Sequence, residues 1–325
     1  MTSPLLFVLL LGVVTLAAVY AAAGTVAVRW IVRRVRGQPA PKRSALRRVA
    51  RTAAVSLAAA GAICLLYARF IEPFWLERTH VALATPKFPP GGQPLRIAHL
   101  SDLHCDAALR AEGDVVAAVA AWAPDLIVFT GDAVNNRAGL SNFRATMTQM
   151  ARIAPTYAVL GNFDRSGDDL YQGTGVQVLD GRALRLEANG RAFWLVGAPS
   201  WDWASAEQSL RSLPAGEYKI VLYHHPHHVL EAARAGADLY LCGHTHGGQV
   251  ALPFYGAIIT LSKTGKRFEH GRYRVGATDM YVSRGIGMEG GAAPRIRFLA
   301  RPEVVLIEIA PDGDRAPPRA PKEAP

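Results

Sequence analysis

The sequence predicts an α/β fold that follows two membrane-spanning helices. Two observations carry this prediction. Residues 95–162 alternate short apolar runs with segments of helical periodicity, and two stretches near the N-terminus, 4–28 and 52–68, contain no charged residue. Alternating strands and helices are typical of an α/β protein with a largely buried sheet. A helix needs about 20 apolar residues to cross the hydrocarbon core of a bilayer.

The uncharged stretches predict a membrane anchor over residues 1–71. The first stretch is long enough to span, and we expect it to stay uncleaved because the positive charge that opens a signal peptide is missing from residues 1–6. The second stretch is shorter, and aromatic and apolar residues extend it toward the interface. The alternative of two buried core helices fits such long uncharged stretches less well. The extending residues are Phe70, Ile71, Phe74 and Trp75.

The charge of the chain is concentrated between the two predicted spans. The formal net charge is +10, and residues 29–51 hold nine Lys or Arg and no acid, so the rest of the chain is nearly neutral. A near-neutral remainder excludes a basic nucleic-acid-binding face. Short basic loops stay cytoplasmic and can rest on anionic lipid. We therefore expect a multi-pass inner-membrane protein whose catalytic domain lies on the outer, periplasmic face.

Composition divides the remainder into three segments. Residues 72–93 end in a turn-rich Pro-Pro-Gly-Gly and are predicted to be a connecting stalk. Residues 94–310 form the predicted catalytic domain. Residues 311–325 are rich in Pro, Ala and charge, and we expect this tail to be disordered.

Within the domain, apolar runs and helical segments alternate. Helical spacing covers 109–122 and 140–153, between the first three apolar runs. Later strands have fewer helices between them, which favours a second sheet layered on the first. The predicted strands are 95–100, 126–130, 157–160, 193–196, 219–223, 238–241, 280–283 and 304–309.

Polar motifs follow five of these apolar runs directly. Strand-terminating turns would explain the Gly, Asn and Asp in these motifs, but not the histidines at matching strand ends. Ligands gather beyond the carboxyl ends of strands in α/β sheets. The motifs are Asp102-Leu103-His104, Gly131-Asp132, Gly161-Asn162-Phe163-Asp164, His224-His225-Pro226 and Gly243-His244-Thr245-His246.

These motifs predict a two-metal site. Mixed imidazole and carboxylate ligands suit manganese, iron or zinc. One ion rarely needs seven such ligands, whereas two divalent ions sharing a bridging carboxylate use them all. Two ions about 3.5–4 Å apart can clamp a phosphoryl group and activate a bridging water. The predicted ligands are Asp102, His104, Asp132, Asn162, His224, His244 and His246.

The sequence resembles the calcineurin-like metallophosphoesterase superfamily over roughly residues 69–310. The segments 243–249 (Gly-His-Thr-His-Gly-Gly-Gln), 252–256 and 281–285 are similar to its bacterial membrane-linked subgroup. The resemblance implies a four-layer αββα sandwich with two metals between the sheets. It assigns one metal to Asp102, His104, Asp132 and His246, and the other to Asp132, Asn162, His224 and His244, with Asp132 as the bridge.

The resemblance implies hydrolysis of phosphoester or pyrophosphate bonds at the membrane surface by a metal-bridging hydroxide. The substrate would be a phosphoester or pyrophosphate, including lipid- or envelope-linked ones, and no nucleic acid is expected. One alternative is a lipid-precursor pyrophosphatase acting on a UDP-diacylglucosamine-type substrate. Another is a catalytically weakened metal-binding module.

That last alternative arises from Phe163. The third motif of the family usually carries a histidine at this position, expected to protonate the leaving group or steady the phosphate, and Phe can do neither. We consider His225 a candidate substitute donor, and Asp164 has lost its usual partner. The candidate catalytic residues are therefore Asp132, Asn162, Asp164 and His225. His270 and Arg284 are placed by the resemblance where they could reach phosphate, and His99 is expected to be structural.

Overall fold

The computed structural model describes residues 3–39, 44–164, 169–290, 295–313 and 322–323. It divides into two compact units, Met1–Tyr67 and Ala68–Pro325, each described by itself. The first unit holds two long helices. Among the described residues, the stretch Ala45–Phe74 is long and apolar enough to cross a membrane, judged by length and composition. The span expected over 4–28 lies in a helix but stays a prediction.

Regular elements alternate along the second unit, and the predicted β-α-β-α-β order from residue 95 is confirmed. In chain order, the helices are α1 Ser3–Val35, α2 Ala45–Phe70, α3 Glu112–Trp122, α4 Leu140–Ile153, α5 Trp203–Arg211 and α6 Val229–Arg234. The strands are β1 Glu77–Thr85, β2 Leu95–Leu100, β3 Leu126–Phe129, β4 Thr156–Ala158, β5 Gln177–Val178, β6 Arg182–Ala188, β7 Arg191–Gly197, β8 Tyr218–Leu222, β9 Leu239–Cys242, β10 Ala251–Leu252, β11 Gly256–Ala257, β12 Gly271–Val275, β13 Thr278–Val282, β14 Glu303–Pro311 and β15 Lys322–Glu323.

The strands form two mixed sheets and a small hairpin, β10–β11. The first sheet has the order β1-β14-β2-β3-β4-β5, and the second has the order β15-β12-β13-β9-β8-β7-β6. In the first sheet β2, β3 and β4 run parallel, and in the second sheet β7, β8 and β9 do the same. The carboxyl ends of each parallel group therefore lie at one edge of its sheet.

Three buried clusters show how the layers stack. Side chains such as Ile97 of β2 and Leu195 of β7 meet between the two sheets. The outer face of the first sheet packs on α3 and α4 through residues such as Phe143. The outer face of the second sheet packs on α5 and α6 through residues such as Trp203 and Val229. The chain thus has an α-β-β-α layering, which confirms the predicted α/β fold with two sheets.

The prediction of a stalk over 72–93 is corrected by the structure. β1 lies in this segment and pairs with β14 along all nine of its residues. The Glu72 carboxylate is buried and accepts hydrogen bonds from the backbone of Leu299 and Ala300 at 2.9 and 2.6 Å. β1 is an edge strand whose residues alternate between exposed and more buried positions, and such a pattern differs from the fully buried run of a central strand.

The C-terminal tail also contributes to a sheet. β14 continues to Pro311, and Lys322–Glu323 pair in parallel with Tyr273 and Arg274 of β12. The expectation of disorder otherwise falls on 314–321 and 324–325, which lie outside the described residues.

Candidate metal centre

The predicted ligands come together where the two sheets present the carboxyl ends of their parallel strands. Asp102, Asp132 and Asn162 follow β2, β3 and β4, while His224 follows β8 and the Gly243–His246 turn follows β9. Since both groups of strands end at this edge, side chains that are far apart in sequence meet in one site.

Three of the ligands form a fully enclosed group, which we call the closed half: Asp102, His104 and His246. The Nε2 atoms of His104 and His246 lie 3.2 Å apart, and His246 Nε2 lies 3.4 Å from Asp102 Oδ1. One ligand atom from each of the three residues falls within 4.8 Å of the others. None of these side chains is more than 3% exposed, so water has no free access to this group.

Three further ligands form the open half: Asn162, His224 and His244. His224 Nε2 lies 2.9 Å from Asn162 Oδ1, and the ring centroids of His224 and His244 are 5.1 Å apart. Unlike the closed half, Asn162 and His244 are partly exposed. This half adjoins a cavity of about 440 Å³ whose lining includes Asn162 and His225.

Asp132 lies between the two halves. A single oxygen, Oδ2, is 3.6 Å from His104 Nε2 and 3.2 Å from His224 Nε2. The other oxygen, Oδ1, accepts the backbone N–H of Phe163 at 2.9 Å. The carboxylate is therefore held in one orientation, with one oxygen aimed at both halves at once, as a bridging ligand requires.

The donor set fits divalent cations. Among the described residues, Nδ1 of His104 and Nδ1 of His246 are buried without a hydrogen-bond partner, while their Nε2 atoms converge on each other and on carboxylates. His224 donates its Nδ1–H to the carbonyl of Thr130 at 2.8 Å, which directs Nε2 into the site. Such backbone support fixes the tautomer of a metal-ligating histidine.

Burial and charge set the protonation of these groups. Burial lowers the pKa of His104 to about 4 and that of His244 to about 3, so both rings are neutral at pH 7. Burial, helped by Asp132, raises the pKa of Asp102 to about 7. Burial alone would raise the pKa of Asp132 as well. The charge of His224 and its hydrogen bond to Asp132 outweigh burial, so the pKa of Asp132 is lowered. The same Asp132 outweighs burial at His224 and raises its pKa to about 10.

The backbone at the strand ends is unusual. Five of the seven predicted ligands have positive φ angles, in the left-handed region that non-glycine residues rarely adopt. Strained conformations of this kind concentrate at functional sites. Asp and His are enriched among the non-glycine residues with positive φ, but such residues remain a small minority, so residue type did not predict this feature. The five are Asp102 at 50°, His104 at 39°, Asp132 at 62°, His244 at 70° and His246 at 52°.

Two glycines allow the strand ends to approach so closely. A Cβ atom at Gly161 would overlap the carboxylate and backbone of Asp132, and one at Gly243 would overlap Ser101 and the Asp102 carboxylate. These motif glycines are therefore required by close approach of backbone to ligand, rather than only by a turn.

The Asp164 side chain has a different role from the catalytic one proposed from the sequence. Its two carboxylate oxygens accept three backbone N–H groups, those of Asp132, Ala133 and Gly161, at 2.8, 2.9 and 2.7 Å. The side chain thus ties the second motif to the third. Both oxygens are engaged on the scaffold side, so we correct the hypothesis of a catalytic Asp164 to one of a positioning residue.

Phe163 and His225 flank the two halves. The Phe163 ring packs edge-on against His104 with centroids 5.0 Å apart and is 38% exposed. The His225 ring lies 4.3 Å from that of His244, and its Nδ1 is buried without a hydrogen-bond partner among the described residues. Burial and the neighbouring His224 and His244 lower the pKa of His225 to about 2. His225 is therefore beside the site as predicted, as a neutral ring.

Three other sequence candidates are not among the convergent ligand groups found in the described residues. Arg284 forms ion pairs of 3.0 Å with both Glu77 and Glu303, which commits its charge to the scaffold. His99 is fully buried beneath the site, with Nε2 2.9 Å from the Thr130 hydroxyl, in line with its expected structural role. His270 is absent from the convergent ligand groups found among the described residues.

Sequence reasoning missed Arg297. Its guanidinium is fully buried and donates to the carbonyls of Gly287, Ala300 and Arg284 at 3.0, 2.7 and 2.9 Å. The clamped segment packs on the closed half, because Gly287 donates its N–H to the Asp102 carbonyl at 2.7 Å. An arginine in the run Arg-Ile-Arg-Phe-Leu carries no signal that distinguishes it from a surface residue.

An α-β-β-α sandwich with histidines and carboxylates converging at its strand ends defines a metal-dependent hydrolase. Residues 95–248 match the calcineurin-like phosphoesterase family. A metallophosphoesterase of Bacillus subtilis, YkuE, is 31% identical over 261 residues, covering 75% of this chain and 88% of the relative. The phosphodiesterase YaeI of Escherichia coli is 32% identical over 256 residues, covering 75% and 92%. The chain therefore belongs to the calcineurin-like metallophosphoesterases, and it is a phosphoester hydrolase.

A further relative is relevant to membrane association. A Bos taurus transmembrane protein with a metallophosphoesterase domain is 29% identical over 262 residues, covering 72% of this chain and 57% of that protein. Within the part of the chain that the structure describes, one candidate membrane-spanning stretch thus accompanies similarity to a transmembrane relative.

Proposed function

We propose that this chain hydrolyses phosphodiester or pyrophosphate bonds at a membrane surface, using two divalent ions of manganese, iron or zinc. The closed half together with Asp132 would hold one ion, and the open half together with Asp132 would hold the other. The observation that carries the proposal is the position of Asp132 Oδ2, 3.6 Å from His104 Nε2 and 3.2 Å from His224 Nε2.

When bound, such ions clamp phosphoryl oxygens and lower the pKa of water so that a nucleophile forms at neutral pH. The protein's own residues supply orientation and exclusion of water. Asp164 fixes the backbone that carries Asp132, and Thr130 fixes the tautomer of His224. The closed half keeps water away, while the cavity beside Asn162 admits the substrate.

The Asp132→Asn variant tests the proposal most directly. A neutral bridge cannot offset two cations, so we expect metal content to fall toward one ion or fewer per chain. Activity on bis(p-nitrophenyl) phosphate should fall more than about 100-fold, beyond the usual cost of losing an outer partner of a metal ligand. Elemental analysis and kcat/KM are the measurements.

The matched control is Asp114→Asn, which removes an exposed carboxylate on α3. This variant should keep both the metal content and the activity. A parent chain that saturates at one ion would contradict the two-ion mechanism, and so would an Asp132→Asn variant that retains both ions.

We also propose that the catalytic domain lies on the periplasmic face of the inner membrane. The support is the charge bias of residues 29–51, nine positive side chains and no acid. Fusions after Pro325 give the test. Alkaline phosphatase, active only in the periplasm, should work there, and green fluorescent protein exported in an unfolded state should stay dark. The opposite pattern would favour the lipid-precursor pyrophosphatase alternative, whose UDP-linked substrate is expected at the cytoplasmic leaflet.

A further inference from the structure

A second cavity lies beside the loop that carries His104 of the closed half. Its volume is about 440 Å³, and its lining includes Arg69, Phe74, Asp106, Arg110, Met288 and Arg295. We propose that this cavity binds the phosphate head group of a membrane amphiphile. The inference goes beyond the proposed function, because it concerns a binding site apart from the cavity beside Asn162.

The charge of the cavity favours an anion. Asp106 forms ion pairs with both Arg110 and Arg295, with Nη2–Oδ2 distances of 2.8 and 2.5 Å. Arg69 adds a third guanidinium to the lining. Three positive groups against one carboxylate leave a surplus of positive charge, and guanidinium groups bind phosphate through paired, charge-assisted hydrogen bonds.

The apolar part of the lining favours an amphiphile over a free anion. Phe74 and Leu109 both line the cavity and are 43% and 67% exposed. Met288 contributes a flexible apolar wall, of the kind that adapts to irregular ligands. Exposed apolar side chains beside arginines suit a ligand with a charged head and an acyl part.

The position of the cavity links it both to the membrane-spanning stretch and to the metal centre. Arg69 and Phe74 belong to the end of Ala45–Phe74, the stretch able to cross a bilayer by length and composition. Arg110, in the same lining, donates to the carbonyl of the predicted ligand His104 at 2.9 Å. A head group held by Arg110 would therefore lie next to the metal-ligand loop, with its acyl part toward the helix end.

Calorimetry on the full-length chain in nonionic detergent tests this inference. EDTA is present throughout, so neither bound metal nor hydrolysis contributes. The probes are dihexanoyl phosphatidic acid, dihexanoyl phosphatidylcholine and inorganic phosphate. We expect the phosphatidic acid to bind and to lose at least about tenfold in affinity in Arg69→Gln and in Arg295→Lys, the order expected when a charge-assisted hydrogen bond is lost. Arg182→Gln, at an exposed position on β6, is the charge-matched control and should bind like the parent.

The alternatives give distinct results. Equal affinity of the parent and both cavity variants for phosphatidic acid would overturn the inference. Inorganic phosphate binding as tightly as phosphatidic acid, with the same loss in the variants, would also overturn it, because the cavity would then be a free-phosphate site. Since binding is measured without metal, these outcomes are independent of the Asp132→Asn experiment, which tests hydrolysis itself.

Discussion

The closed and open halves of the metal centre use similar ligands in different surroundings. Asp102, His104 and His246 are buried and supported from behind by a clamped backbone segment. Asn162 and His244 are partly exposed beside a cavity that also contains His225 and Lys263. A two-metal site of this kind would divide its tasks, with the buried half suited to holding a cation and the partly exposed half suited to admitting a substrate.

The largest expected effect comes from removing the support of the closed half. In Arg297→Met, the backbone carbonyls of Arg284, Gly285, Gly287 and Ala300 lose this donor, and leaving a buried carbonyl unsatisfied costs roughly 1–3 kcal/mol. We expect the free energy of unfolding to drop by at least about 3 kcal/mol, with weaker metal binding. Chemical unfolding followed by tryptophan fluorescence and a metal titration are the measurements.

Arg182→Met is the control for this comparison, because Arg182 is exposed on β6 and surface changes usually shift stability by less than about 0.5 kcal/mol. If both arginine variants unfolded alike, Arg297 would not be the support of the closed half.

A smaller effect concerns the base of the open half. The Thr130 hydroxyl contacts His99, and its carbonyl orients His224. Burial lowers the pKa of His99 from 6.5 to about 3. Between those pH values the unfolded chain binds the proton and the folded chain does not, so acidification below 6.5 destabilises the fold, while the stability is fully present above it.

Between pH 6 and 4 the free energy of unfolding of the parent should therefore fall as the pH falls. We expect this fall to be smaller in His99→Gln, by up to about 1.4 kcal/mol per pH unit, which is the value for one proton. Unfolding free energies measured at several pH values check this expectation. Parallel pH profiles for the parent and the variant would show that the pKa of His99 is the same in the folded and unfolded states, which contradicts this expectation.

The smallest effect concerns leaving-group protonation. With Phe163 in place of a histidine and His225 held neutral, we expect good activity on aryl esters and pyrophosphates and poor activity on alkyl esters. General acid catalysis is worth about 10²–10⁴-fold, so Phe163→His should raise kcat/KM on alkyl substrates by about tenfold or more relative to aryl ones. A series of leaving-group pKa values is the measurement.

His225→Ala is the companion variant. A shallow dependence on leaving-group pKa in the parent, lost in His225→Ala, would mean that His225 already serves as the donor. That result would contradict the interpretation that no other residue replaces the proton-donating histidine missing at Phe163.

The same contrast explains what could be predicted from the sequence. The five polar motifs follow continuous apolar strands, so the convergence of Asp102, Asp132 and His224 followed from strand order alone. β1 was missed because an edge strand alternates exposed and buried residues. Arg297 was missed because its partners are backbone carbonyls, which leave no mark on residue type. The role of Asp164 depended on which N–H groups it faces, and only coordinates provide that.

The left-handed backbone at five ligands has a consequence for how this chain can change over evolution. Each such conformation costs a non-glycine residue roughly 1–2 kcal/mol, and glycine is freed of that cost. A glycine at Asp102 or His246 would relax the backbone and delete a ligand in one step. Selection for a more stable chain and selection for an active one therefore oppose each other at these positions, and drift without selection for activity leads toward a folded, metal-free relative.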